Sequence, residues 1–153
     1  MARLVLHTLI HAAREVCFDL SRDTAVHLQS TEHTGERVIA GRRTGLFEPG
    51  DEVTWEAVHL GIRQRLSTRI TGFDPPVFFE DTMQQGAFKS MRHEHHFLKQ
   101  GAATVMTDIF LYEVPLGLLG RFFDWLYLKR YMTGLLQKRN AFIKEIAEKA
   151  EIK

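Results

Sequence analysis

A single cysteine, Cys17, excludes any disulfide within the chain and suits a reducing, cytoplasmic compartment. Long apolar runs are missing too. The longest, Leu116–Leu128, is interrupted by Arg121 and Asp124, so no membrane span is expected. Met1–Ile10 lacks the apolar core and small-residue cleavage site of a secretory signal, so none is expected. Charge of one sign is not in excess. The balance of 20 basic and 19 acidic residues leaves +1, which gives no basis for nucleic acid as a partner. Internal repeats and low-complexity tracts are absent, as are a nucleophile motif, a glycine-rich phosphate loop and an EF-hand loop. The Gly-Arg-Arg-Thr-Gly stretch at 41–45 reads as a hairpin turn.

What is present is globular: 44% hydrophobic and 25% charged residues, enough to bury a core as one domain over 1–153. Arg3–Ile10 is short, aliphatic and β-capable. The spacing then predicts a helix over Ala12–Leu20 and a second over Arg22–Ser30, with Ser21 as its cap. The period next changes to that of strands, at Glu36–Ala40, Glu52–Val58, Ile62–Phe73, Val77–Met83, Phe88–Phe97 and Thr104–Glu113. Their separators are short and rich in Gly, Pro and Asp, which favours antiparallel hairpins over parallel crossovers. From Leu118 to Ala150 the pattern is helical again, long enough to cross the open face of a sheet, with Gly134 at a bend or close approach. The order β-α-α-β6-α gives an α+β fold with about seven strands.

Strand alternation sorts side chains onto faces. Arg63, Arg65, Ser67 and Arg69 share one face, expected in solvent, and Ile62, Gln64, Leu66, Thr68 and Ile70 share the other. Trp55 is placed inward for its large apolar area. In the run Met91-Arg92-His93-Glu94-His95-His96-Phe97, the apolar ends place Met91, His93, His95 and Phe97 inward. His93 or His95 is a candidate acid/base. Two imidazoles at i and i+2 suit a metal only with a third ligand, for which Asp108 is the nearby candidate, and polar lining is the stronger expectation. Alternation leaves Asp108 undecided because both faces of its strand are apolar, and Glu80 and Asp81 pose the same question. Leu119, Phe122, Leu126, Leu136 and Ile143 fall near one stripe of the long helix, and Phe122–Leu128 is expected to be cavity wall.

Several motifs in this order resemble the SRPBCC superfamily, which includes START domains, birch-pollen-type allergens and polyketide cyclases. They are Glu15-Val16-Cys17-Phe18-Asp19-Leu20, His33-Thr34-Gly35-Glu36, Gly50-Asp51-Glu52-Val53-Thr54-Trp55, Phe73-Asp74-Pro75-Pro76, Arg92-His93-Glu94-His95, Thr107-Asp108 and Pro115-Leu116-Gly117. The likeness covers nearly the whole chain and is nearest to a bacterial subgroup of ligand-binding proteins. It implies a helix-grip fold, a curved antiparallel sheet wrapped around a long C-terminal helix, with a cavity whose mouth lies near the two short helices and the hairpin loops.

The expected function is binding of a small hydrophobic or amphipathic molecule. The expected lining is Trp55, Leu66, Ile70, Met91 and Phe97 as apolar wall, Gln64, Thr68, His93 and His95 as polar points, and Phe122 and Leu126 from the helix. No cofactor and no metal are expected. The alternatives are a cyclase-, aromatase- or hydrolase-like enzyme using a cavity histidine oriented by Asp108, and a regulatory or stress-linked interaction module. Ligand identity and oligomeric state are not encoded in any motif of the chain.

Overall fold

The computed structural model describes residues 1–152. The chain runs β1 (Ala2–Ile10), α1 (Arg14–Ser21), α2 (Thr24–Ser30), a 3-10 turn (Glu32–Thr34), then β2 (Arg37–Gly41) and β3 (Glu52–His59). It continues through β4 (Ile62–Asp74), β5 (Phe78–Gln85), β6 (Ser90–Gln100) and β7 (Ala103–Glu113). It ends in α3 (Gly117–Phe123), a π-helical turn (Asp124–Leu128) and α4 (Lys129–Ile152). The expected α+β order therefore holds, each strand falling within a few residues of its predicted place.

The seven strands form one antiparallel sheet in the order β1-β7-β6-β5-β4-β3-β2. Strands β2 to β7 are a meander, as their short turns require. β1 instead pairs with β7, from Ala2 opposite Tyr112 to Ile10 opposite Thr104. The two short helices carry the chain from that edge of the sheet to the far edge at β2. Asp23, rather than Ser21, caps α2: its Oδ1 accepts from the amides of Ala25 and Val26 at 2.8 and 3.2 Å. Ser21 ends α1 by donating to the Cys17 carbonyl. Its side chain is thereby committed to the first helix and is not free to cap the second.

Alternation along the strands holds. Arg65 and Arg69 lie on the outer face and pair with Glu56 and Glu52 of β3, and β7 alternates without a break, burying Thr104, Met106, Asp108, Phe110 and Tyr112. The end of the sheet under α1 is solid. Phe18 packs edge-on against Phe73, Phe79 and Phe97 at 5.5–5.6 Å, and Ile143 and Ala147 of α4 complete that core. Burying an aromatic of this size contributes on the order of 2–3 kcal/mol.

The C-terminal segment behaves differently along its length. Leu116 and Gly117 both take left-handed backbone (φ 69 and 53°) and turn the chain out of β7. Gly120 is required where it stands, since a Cβ there would lie 1.8 Å from the Pro115 carbonyl oxygen. Gly134 has open space around its Cα, so it marks no close approach. The irregularity falls at the π turn, which Tyr112 anchors by donating its hydroxyl hydrogen to Asp124 Oδ1 at 2.5 Å. Among the described residues no helix is long and apolar enough to cross a membrane.

Candidate functional site

Between the sheet and the C-terminal helix lies a hollow of about 1210 Å³. Its sheet wall comes from alternate residues of β3 and β4: Val53, Trp55 and Ala57 on one strand, Gln64, Leu66, Thr68 and Ile70 on the next. Phe79 and Asp81 of β5, Met91, His93 and His95 of β6, and Phe110 of β7 continue it. The helical wall is Leu119, Phe123, Tyr127, Leu128, Tyr131, Met132, Leu136 and Arg139.

The expected lining residues separate accordingly. Trp55, Gln64, Leu66, Thr68, Ile70, Met91, His93 and His95 lie on the wall. Phe122 and Leu126 do not: both point away and are more than half exposed. The π turn accounts for this. Each of its residues advances less around the axis than an α-helical residue, so the stripe that includes Leu136 and Ile143 does not project back to Phe122 and Leu126. Phe123 and Tyr127 take their places. Phe97 also departs from expectation. It faces inward, but it is sealed under α1 against Phe18 rather than open to the hollow.

The open side is marked by lining residues that remain exposed. These are Leu60 and Ile62 on the β3–β4 hairpin, and Leu116, Leu119, Phe123 and Tyr127 across from it. His27, Thr31 and Thr34, from the short-helix region, are buried or half-buried and line the hollow on the β2 side, where Glu36 comes near His59 of the hairpin. The open side therefore lies at the β3–β4 hairpin and α3, with the short-helix region bordering the hollow beside the hairpin.

Two polar groups interrupt the apolar wall. The first is on the β2 side near the β3–β4 hairpin, where His27 stacks on Trp55 with centroids 4.1 Å apart and meets Glu36 through Nε2 at 2.8 Å. Nearby, His59 Nδ1 and the Tyr131 hydroxyl are 2.8 Å apart, joining β3 to α4. Burial alone would raise the Glu36 pKa, but the charge and hydrogen bond of His27, with the charge of His59, outweigh it and hold the carboxyl below its ordinary value.

The second group is deeper and denser. Asp108 is completely buried and settles the question of its face. Its Oδ1 accepts from His93 Nε2 at 2.8 Å and lies 3.4 Å from Arg139 Nη1, while Oδ2 accepts from Asn140 Nδ2 at 2.7 Å. Burial pushes the Asp108 pKa up, yet the His93 and His95 contacts and the Arg139 charge hold it well below the usual carboxylate range. An ionised carboxylate can only accept, so the shared hydrogen sits on His93 Nε2 and the Nδ1 lone pair is left free beside the hollow. Burial and the neighbouring His95 push His93 down to about 4 despite Asp108.

His95 has a carboxylate at each ring nitrogen. Nε2 is 2.9 Å from Asp81 Oδ2, and Nδ1 is 3.3 Å from Asp108 Oδ1 but forms no hydrogen bond. Its ring stacks on Phe79 at 4.1 Å and lies 3.8 Å from that of His93. Asp81 faces inward opposite His93 in the β5–β6 register, whereas Glu80 faces outward toward Arg92. The residue that joins the two histidines at a common point is thus Asp81, the three offering ligand atoms within 4.8 Å of one another. Asp108 stands behind them rather than beside them.

Sequence reasoning missed Arg139 and Asn140, which complete this cluster from α4. The signal was available: they sit three and four residues after Leu136 and before Ile143, on the helix face that those buried residues define.

A curved antiparallel sheet holding a terminal helix across a lined hollow defines the helix-grip class of folds. No family model matches the chain, and no curated protein matches it. Solved structures do. A START superfamily protein from Mycobacterium smegmatis is 14% identical, with 97% of this chain and 98% of that one covered and a TM-score of 0.73. The protein TTHA0849 from Thermus thermophilus is 18% identical over 93% and 97%, with a TM-score of 0.72. Ginseng major latex-like protein 151 from Panax ginseng is 16% identical over 95% and 97%, with a TM-score of 0.66. The fold is that of the SRPBCC superfamily.

Proposed function

We propose that the protein binds a small hydrophobic or amphipathic molecule between the sheet and the C-terminal helix. One observation carries this reading: a hollow of about 1210 Å³ with an apolar wall and one dense polar cluster. Specific small-molecule sites combine a largely apolar surface with a few convergent polar groups, in volumes of roughly 300–1,000 Å³. This one is larger, which suits an extended or fused-ring carbon skeleton. Its polar end would meet His93 and Asp81, and its tail would run past Leu66 and Met91 toward the mouth. The nearly even charge and the pairing of Arg65 and Arg69 with glutamates support a partner other than nucleic acid. The lone, buried Cys17 supports a cytoplasmic setting.

The test is uptake of a fluorescent anilinonaphthalene sulfonate probe. The wild-type protein is expected to take up one equivalent, and Ala57→Trp, which fills the hollow from β3, to weaken uptake by about tenfold or more. Absence of saturable uptake by the folded wild-type protein overturns the reading.

A cyclase- or hydrolase-like activity is the second reading, favoured by the His93–Asp108 pair beside the hollow. It ranks lower because a general base works best with a pKa near the working pH, and His93 at about 4 accepts a proton weakly at neutrality.

A further inference from the structure

The deep cluster holds two carboxylates, Asp81 and Asp108, against one guanidinium, Arg139. A neutral imidazole carries a single N–H hydrogen, yet His95 meets a carboxylate oxygen at each nitrogen. With the hydrogen on Nε2, that atom donates to Asp81, and the buried Nδ1 stands against Asp108 without a hydrogen bond. With the hydrogen on Nδ1, the Nε2 lone pair faces the Asp81 carboxylate at 2.9 Å, an arrangement stable only with a cation between them.

We propose that Asp81, His93 and His95 form a binding site for a divalent transition-metal ion of the Zn²⁺ type, with its open coordination position facing the hollow. Two nitrogens and one carboxylate oxygen are the ligand set that such ions take when a fourth position is left free. The three candidate atoms lie within 4.8 Å of one another. Points so placed are at most about 2.8 Å from a common centre, so shifts of roughly 0.7 Å bring them to bonding distance. The ligands sit on adjacent β5 and β6, with Asp81 directly opposite His93, so the sheet fixes their spacing.

Metal at His95 Nε2 leaves the ring hydrogen on Nδ1, 3.3 Å from Asp108 Oδ1. His93 already directs Nε2 to the same Asp108 and keeps Nδ1 free. That buried carboxylate, held by Arg139 and Asn140, would then orient the His93 imidazole, the usual outer partner of a metal-bound histidine. A divalent ion adds two positive charges to the cluster. Resting on the cavity-binding reading, this selects a guest whose polar end is an anion such as a carboxylate.

The experiment is titration of chelator-treated protein with Co²⁺, without any organic guest. The expected result is one equivalent bound, with the intensified visible absorption of four- or five-coordinate cobalt, and its loss on adding one equivalent of Zn²⁺. Asp81→Asn and His93→Gln, checked for folding by circular dichroism, should each weaken binding at least tenfold; Asp108→Asn should weaken it about 10–100-fold. Failure of the wild-type protein to bind Co²⁺ below millimolar concentration overturns the site. Binding unaffected by Asp81→Asn and His93→Gln, both folded, overturns it as well. Probe uptake by the same metal-free protein reports separately on the cavity. If Zn²⁺ tightens binding of dodecanoate but not of dodecanol, the anchoring role stands; equal effects overturn it.

Discussion

Two stretches of the same C-terminal segment invert the usual rule of burial. In α4 the inward face carries Arg139 and Asn140, both nearly inaccessible, while in α3 and the π turn Leu118, Trp125, Phe122 and Leu126 stand in solvent. The difference is one of partners. α4 lies against β1 and the short helices, and the polar pair finds Asp108 waiting in β7. α3 runs straight into the π turn and makes few contacts with the sheet, so its apolar side chains face the hollow on one side and water on the other. Residue type proposes a location, and the nearest complementary surface decides it.

The strongest way to break this comparison is to remove the partner. Asp108→Ala should destabilise the protein by about 3–5 kcal/mol in urea denaturation, because it leaves Arg139 and His93 buried without their acceptor. Adding Arg139→Met should recover a large part of that loss, since the charge is then removed from both sides. A double variant no more stable than Asp108→Ala would show that the pair does not act as a unit.

A smaller effect comes from the β2 side of the hollow. Glu36 has a depressed folded-state pKa, so its contribution is fully present above its ordinary value of 4.5 and is lost as pH falls through the folded pKa. Glu36→Gln should therefore flatten the decline in thermal stability below about pH 4.5 and lower stability at pH 7. An unchanged acid limb would mean that the pair with His27 adds nothing to folding.

The smallest effect is expected on the outer side. Trp125, 76% exposed, should tolerate substitution by Ser with a stability change within about 0.5 kcal/mol. A loss of several kcal/mol would place that ring in a packed environment and abolish the contrast between the two stretches.

The sheet was legible in the sequence because alternation and turn chemistry agree strand by strand. His93 and His95 were found by that rule, bracketed by Met91 and Phe97. The same rule gives a face but not a depth along the strand, which is why Phe97 reads as lining yet lies under α1. Phe122 and Leu126 were lost to a phase slip that no residue type announces. Asp108 could not be oriented from β7 alone, and its partner Arg139 lies thirty-one residues away on an element whose charges ordinarily face water.

The pairing of β1 with β7 also governs the order of assembly. Strands β2 to β7 can zip together hairpin by hairpin through local contacts. β1 leaves the ribosome first, yet the residue opposite Ala2 is Tyr112, so its partner is among the last parts of the sheet to be made. Closing a loop of that length costs chain entropy before any ladder hydrogen bond repays it. Throughout synthesis Leu4 and Ile10 wait without the surface that finally covers them, which makes the first strand the segment most in need of protection during folding.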